Sequence, residues 1–139
     1  MARSEPHRVY AKPLLDKLGV KPEHRVFVQA IGDAGFLADL NARLGRAPAT
    51  SVRGRYDVVF AGIEAEKDFP KIARLRAHLE PAGALWLVAP KGKGSPVRER
   101  DLQAAILASG LVDVKVVSLS PTHTAEKFVI PLRNRPTQG

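Results

Sequence analysis

The chain has 139 residues, 45% of them hydrophobic and 26% charged, with no cysteine and a net charge of +8. That length supports one ordinary core, and the missing cysteines exclude disulfides, thiolate metal sites and cysteine nucleophiles. No apolar run reaches the roughly 20 residues of a bilayer span, and "MARSEPHRVYAKP" lacks the apolar middle of a secretory signal, so a cytoplasmic protein away from membranes is expected.

Taken in chain order, "KPLLDKLGVKPEH" (12–24) predicts a short helix stopped by Gly19 and a loop into the first strand. "RVFVQAI" (25–31) is a short apolar run rich in β-formers, the pattern of a strand covered on both faces. Phe36, Leu37, Leu40 and Leu44 then recur at helical spacing, with Gly45 as the stop. A second buried strand follows at "YDVVFAGI" (56–63). Across 66–80 an apolar stripe of Phe69, Ile72, Leu75 and Leu79 predicts a helix with Lys67, Lys71, Arg74 and His78 outward. "ALWLVAP" (84–90) is the third strand, with Trp86 in its interior. "SPVRERDLQAAILASG" (95–110) has Ser95 placed as N-cap, Pro96 at the first helical position and Gly110 at the end. The order β-α-β-α-β-α specifies a parallel α/β sheet with right-handed crossovers. In "LVDVKVVSLS" (111–120) Val112, Val114 and Val116 alternate with Asp113 and Lys115, marking a half-exposed strand near an edge. "EKFVIPL" (126–132) follows too closely for a helical crossover, so it pairs antiparallel to its predecessor.

The stretch "GRAPATSVRGR" (45–55) is the unusual one. It holds Arg46, Arg53 and Arg55 and no acid. A parallel crossover needs about a dozen residues between its strands. If "ATSVR" is a strand, only Gly54 and Arg55 separate it from Tyr56, so at most one short edge strand fits here. The chain is expected to divide into an N-terminal extension with a short helix (1–20), one α/β domain (21–132) and a frayed C-terminus (133–139).

Ligands of open α/β sheets bind outside the carboxyl ends of the strands. The segments expected there are Gly32, Asp33 and Gly35 after the first strand, Glu64 and Glu66 after the second, and "PKGKGS" with Lys91, Lys93 and Ser95 after the third. "SPTHT" with Thr122 and His123, and Glu126, complete the edge. In "GDAG", Gly32 is read as easing the strand exit, Asp33 as capping the helix and Gly35 as letting helix approach sheet. Lys91, Lys93 and Ser95 precede a helix N-terminus whose amides favour an anion, and His123 is placed to shuttle protons. The histidines His7, His24, His78 and His123 lack zinc-type spacing, so no metal is expected.

"LGVKPEHRVFV", "YDVVFAGI", "HLEPAGALWLVAP" and "GLVDVKVVSLSPTHTAEKFVI" together resemble the first, fourth and fifth strands and the closing hairpin of class I, S-adenosylmethionine-dependent methyltransferases. More closely, "YAKPLLDKLGVKP", "GDAGF", "WLVAPKGKGS" and "LVDVKVVSLSPTHTAEKFV" resemble a bacterial family of small proteins of unknown function. The first resemblance implies a Rossmann-like three-layer α/β/α sandwich: a mostly parallel sheet, a C-terminal antiparallel hairpin, and second and third βαβ units reduced or missing. It also implies where S-adenosylmethionine would sit. Here, however, Gln29 stands near the place of that family's strand-end acid, only Gly32 and Gly35 remain of its glycine loop, and 45–55 lacks its ribose-binding acid. The expectation is a methyltransferase-like domain that is not an enzyme, carries no cofactor, and binds a partner protein or small anionic ligand at the sheet edge. A minimal S-adenosylmethionine-dependent methyltransferase is the alternative. A nucleic-acid-binding module is a further one, motivated by the basic balance, although the Lys and Arg residues are scattered and aromatics make up only 6% of the chain.

Overall fold

The computed structural model describes residues 13–135 except Lys93. In order these form α1 (Leu14–Lys17), β1 (Val26–Gln29), α2 (Ala34–Leu44), β2 (Tyr56–Gly62), a 3-10 turn (Glu66–Asp68), α3 (Pro70–Arg76), β3 (Leu79–Pro90), α4 (Glu99–Ala108), β4 (Val112–Ser118), β5 (His123–Val129) and a second 3-10 turn (Leu132–Asn134). They build a five-stranded sheet of order β1-β2-β3-β5-β4. The first three strands run parallel, and β5 is antiparallel to both β3 and β4.

The near-continuous apolar runs follow from burial on both sheet faces. On one face, Val59, Ala61 and Ile63 pack with Ile72 and Leu75 of α3 and with Leu102 and Ile106 of α4. On the other, Val58, Phe60 and Trp86 pack with Phe36, Leu40 and Leu44 of α2 and with Leu15, Leu18 and Val20 around α1. Phe60 meets Phe36 edge-on at 5.1 Å and stacks with Trp86 at 6.4 Å, which makes these three rings the centre of that layer.

Three sequence expectations need correction. The helix expected over 66–80 is shorter, because the Asp68 carboxylate accepts the amides of Glu64 and Ala65 and closes a 3-10 turn before Pro70 can start α3. Leu79 leaves that helix and opens β3 opposite Tyr56. Ser95 does not cap α4. It accepts the Val97 amide in a local turn, Arg98 is the cap residue, and the buried Val97 pins the loop to the core. The return strand starts at His123, earlier than Glu126, so the β4–β5 turn is tighter than expected. A further expectation holds only in part: β4 lies at the sheet edge, but it has no buried face, since Val112, Val114 and Val116 are exposed together with Asp113 and Lys115.

Glu126 of β5 faces α4, where Gln103 donates to it at 3.3 Å. Burial, with Asp113 and Glu99 nearby, holds its carboxyl above the usual carboxylate range. The folded chain thus binds this proton more tightly than the unfolded chain. Stability is lost as pH rises from the ordinary carboxylate value through the raised one, and nothing is lost below both. Glu126→Gln keeps the hydrogen bond and removes the charge, so it is expected to raise Tm at neutral pH by about 2 °C. The gain should fade in melts taken near pH 4 or below, roughly the ordinary carboxylate value.

Residues 45–55 account for the missing units. Among the described residues the free edge of β1 is met by Ala49 alone, whose amide donates to Val26 O and whose carbonyl accepts from Val28 N, both at 2.9 Å. Beyond Ala49 the backbone is held by side chains. Arg25 donates to the carbonyls of Arg53 and Arg55, His78 meets Gly54 O at 2.7 Å, and the Tyr56 hydroxyl bridges Ser51 O and Arg53 N. His78, expected on an outer helix face, is therefore an anchor for this loop.

Candidate functional site

β1 and β2 close on each other at their carboxyl ends. A Cβ built on Gly62 would lie 2.1 Å from Ala30 O, so only glycine lets β2 pass. Ala30 itself stands at φ +59, a left-handed conformation that costs a residue with a side chain roughly 1–2 kcal/mol. The strained residue at the strand exit is thus Ala30, whereas Gly32 has open space around it and no positive φ. The assignment of Gly32 as the residue that permits the exit is corrected accordingly.

This closure shapes a cleft of about 360 Å³ at the sheet's carboxyl edge. Its first wall is the β1 exit, Ala30 to Asp33, and its second is Gly62 and Glu64 after β2. Val88 and Leu119 provide apolar lining, and Ser120, Thr122 and His123 of the β4–β5 turn close the far side. His123 comes within reach of Glu64 because β5 pairs beside β3 with His123 opposite Pro90.

A hydrogen-bonded array crosses the cleft. The Glu64 carboxylate meets His123 Nε2 at 3.0 Å, and His123 Nδ1 meets Thr122 Oγ1 at 2.9 Å. Ser120 Oγ accepts the amides of Thr122 and His123 and so fixes the turn that presents both side chains. Glu64 is positioned from behind, its amide donating to Asp68 at 2.9 Å. That hydrogen bond, helped by the Lys71 cation, holds the Asp68 carboxyl below its ordinary value. Lys71 also donates to Gly62 O at 2.9 Å, so the β2 exit is tied down from two sides.

Of the residues assigned to the site from sequence, Gly32, Asp33, Glu64, Thr122 and His123 line the cleft. Asp33 caps α2 as expected, accepting the Phe36 amide at 3.0 Å. Gly35 lies outside the cleft on α2, where an added Cβ would meet only the Asp33 carboxylate at 3.4 Å, so close helix packing does not require it. Lys91 turns away, its amine donating to Ser118 Oγ at 2.6 Å and its amide to Thr122 O. Ser95 serves its own turn, and Lys93 lies outside the described residues. Glu66 and Glu126 are likewise not part of the lining. Ser120 belongs to the "SPTHT" segment expected at this edge, whereas sequence reasoning missed Ala30, Ile31, Gly62, Val88 and Leu119. Gly62 was detectable, since an isolated glycine in an apolar strand marks close backbone approach.

The described lining therefore carries Asp33, Glu64 and His123 and neither lysine nor arginine. Elsewhere several cations bind intramolecular oxygens: Arg43 on Val20 O and Asp16, Arg46 on Leu44 O and His24 O, Arg25 on the 45–55 loop. Among the described residues no group of three or more His, Asp or Glu could hold a metal, and no helix is long and apolar enough to cross a membrane.

The sequence matches no protein-family model and no curated protein. The fold does match solved structures. An S-adenosylmethionine-dependent methyltransferase from Aquifex aeolicus superposes with a TM-score of 0.64 at 12% identity, covering 91% of this chain and 90% of that one. Magnesium protoporphyrin IX methyltransferase from Synechocystis, with S-adenosylmethionine bound, gives 0.60 at 13% identity over 84% and 74%. A TehB-like methyltransferase from Corynebacterium glutamicum gives 0.57 at 11% over 85% of each chain. At such identities the likeness establishes the fold: a Rossmann-like, class I methyltransferase-like α/β/α sandwich with a C-terminal antiparallel hairpin.

Proposed function

We propose that this chain uses a methyltransferase-like sheet as a binding domain that does not transfer methyl groups, holding a small polar molecule in the cleft between Glu64 and the β4–β5 turn. One observation carries the reading. The β1 edge, beside which the fold family clasps a nucleoside, is met among the described residues by a single bridging residue, Ala49, and by a loop tied down through Arg25, Tyr56 and His78. Residues 45–55 contain no acid for ribose hydroxyls, so the residues present do not fit the family's grip on S-adenosylmethionine. The cleft that remains lies toward the hairpin, and its volume of about 360 Å³ is at the small end of ligand sites. The anionic ligand expected from the Lys-Gly loop is set aside for this cleft, since Lys91 points to Ser118 and two carboxylates line the walls.

Calorimetry tests it directly. S-adenosylmethionine is expected to show no micromolar binding, while a thermal-shift screen of small polar metabolites yields ligands that raise Tm, because binding the native state alone stabilises it. Micromolar S-adenosylmethionine binding that Gly32→Trp abolishes would overturn the proposal in favour of a minimal methyltransferase.

A further inference from the structure

We infer that the cleft selects a small organic cation, a hydroxylated or similarly polar amine, over neutral and anionic molecules of the same size; this rests on the ligand-binding reading above. The argument starts from what faces the space. Glu64 has one carboxylate oxygen on His123 Nε2 at 3.0 Å, and Asp33 has one on the Phe36 amide at 3.0 Å. Each thus keeps a second oxygen with no protein hydrogen bond among the described residues. Two lysines beside the lining are committed elsewhere: Lys71 to Gly62 O and Asp68, and Lys91 to Ser118.

The remaining groups suit the rest of such a molecule. Val88 and Leu119 are buried and offer apolar surface to a short carbon chain. Thr122, hydrogen-bonded to His123, offers a hydroxyl able to donate or accept. His123, held at both ring nitrogens, cannot swing in as a competing cation without giving up Glu64 or Thr122. An isolated acidic cleft on a chain of net charge +8 also runs against the overall field, so the preference is local and short-ranged. A charge-assisted contact to a part-exposed carboxylate amounts to about a tenfold preference over a neutral isostere.

The experiment uses the full chain, ¹⁵N-labelled, titrated separately with 4-amino-1-butanol, 1,4-butanediol and 4-hydroxybutyrate and followed by amide shifts at Gly32, Glu64, Thr122 and His123. The expected result is saturation by the amine at a concentration about ten times lower than the diol, little response to the carboxylate, and loss of the amine's advantage in Glu64→Gln. Because the Glu64 side chain is more than half exposed, that variant is expected to fold, and a matching melt checks it. Equal or better binding of 4-hydroxybutyrate overturns the cation preference and leaves the ligand-binding reading standing. An amine advantage that persists undiminished in Glu64→Gln overturns the assignment to this cleft. No perturbation by any of the three probes overturns the preference together with the reading beneath it.

Discussion

Gly62→Ala is expected to lose at least about 3 kcal/mol of stability, a large share of what a single domain possesses. The added methyl carbon would sit 2.1 Å from Ala30 O and 3.0 Å from Ala30 C, and both are backbone atoms. A flexible side chain could swing aside; a peptide carbonyl at the end of a paired strand cannot. Relief would require β1 and β2 to part at Gln29 and Ala61, their last paired positions, or Ala30 to leave the conformation that starts the cleft. Urea unfolding measures the loss as a lower midpoint, and poor soluble yield would be its extreme form. Gly32→Ala in the same assay is the control. Nothing lies within 4 Å of that position and its φ is not left-handed, so a change within about 1 kcal/mol is expected, with stabilisation through the unfolded chain the favoured direction. Equal losses at the two glycines would show that strand closure is not what Gly62 provides.

The contrast between these glycines shows which features the sequence carried. Strand identity was legible because burial on both faces leaves a run such as Val58 to Ile63 with no polar alternation. The antiparallel return was legible from spacing alone, since a few residues between 120 and 126 cannot hold a crossover helix. Partners far apart in sequence were not legible. Nothing local links Gly62 to Ala30, or Glu64 to His123, which stand 59 positions apart. Nor does periodicity reveal that His78 leaves its helix face to meet Gly54 O, because the energy lies in one orphan carbonyl and not in a pattern. The Lys-Gly loop poses the opposite case, with Lys93 outside the described residues. Its composition suggested an anion cradle, yet the Lys91 amine is taken by Ser118 and the helix behind it begins only at Glu99.

Arg25→Ala is expected to loosen the 45–55 loop and cost about 1–2 kcal/mol, the lower range for hydrogen bonds to a charged donor because water reaches this site. One guanidinium does three things here. It donates to Arg55 O at 2.7 Å, donates to Arg53 O, and lies 4.4 Å from the centre of the Tyr56 ring. Alanine leaves both carbonyls to solvent and uncovers a ring whose hydroxyl still has to hold Ser51 and Arg53. Lysine should restore little, since a single ammonium on a flexible stem cannot span two carbonyls and stack at once. The loss should be local before it is global. Amide exchange at Ala49 and Val28, which share the bridge beside β1, is expected to quicken well ahead of Phe60 or Leu87 in the core. Limited proteolysis should cut first between 50 and 55. If those amides stay as protected as before, the arginine fork is incidental and the bridge stands by itself. If they open, the Arg25 guanidinium is what holds this loop against the β1 edge. Calorimetry with S-adenosylmethionine on the loosened variant and on the parent chain then bears on the proposed function: binding gained only on loosening would assign the proposed exclusion to this loop, and binding by neither would leave it with the absence of acids in 45–55.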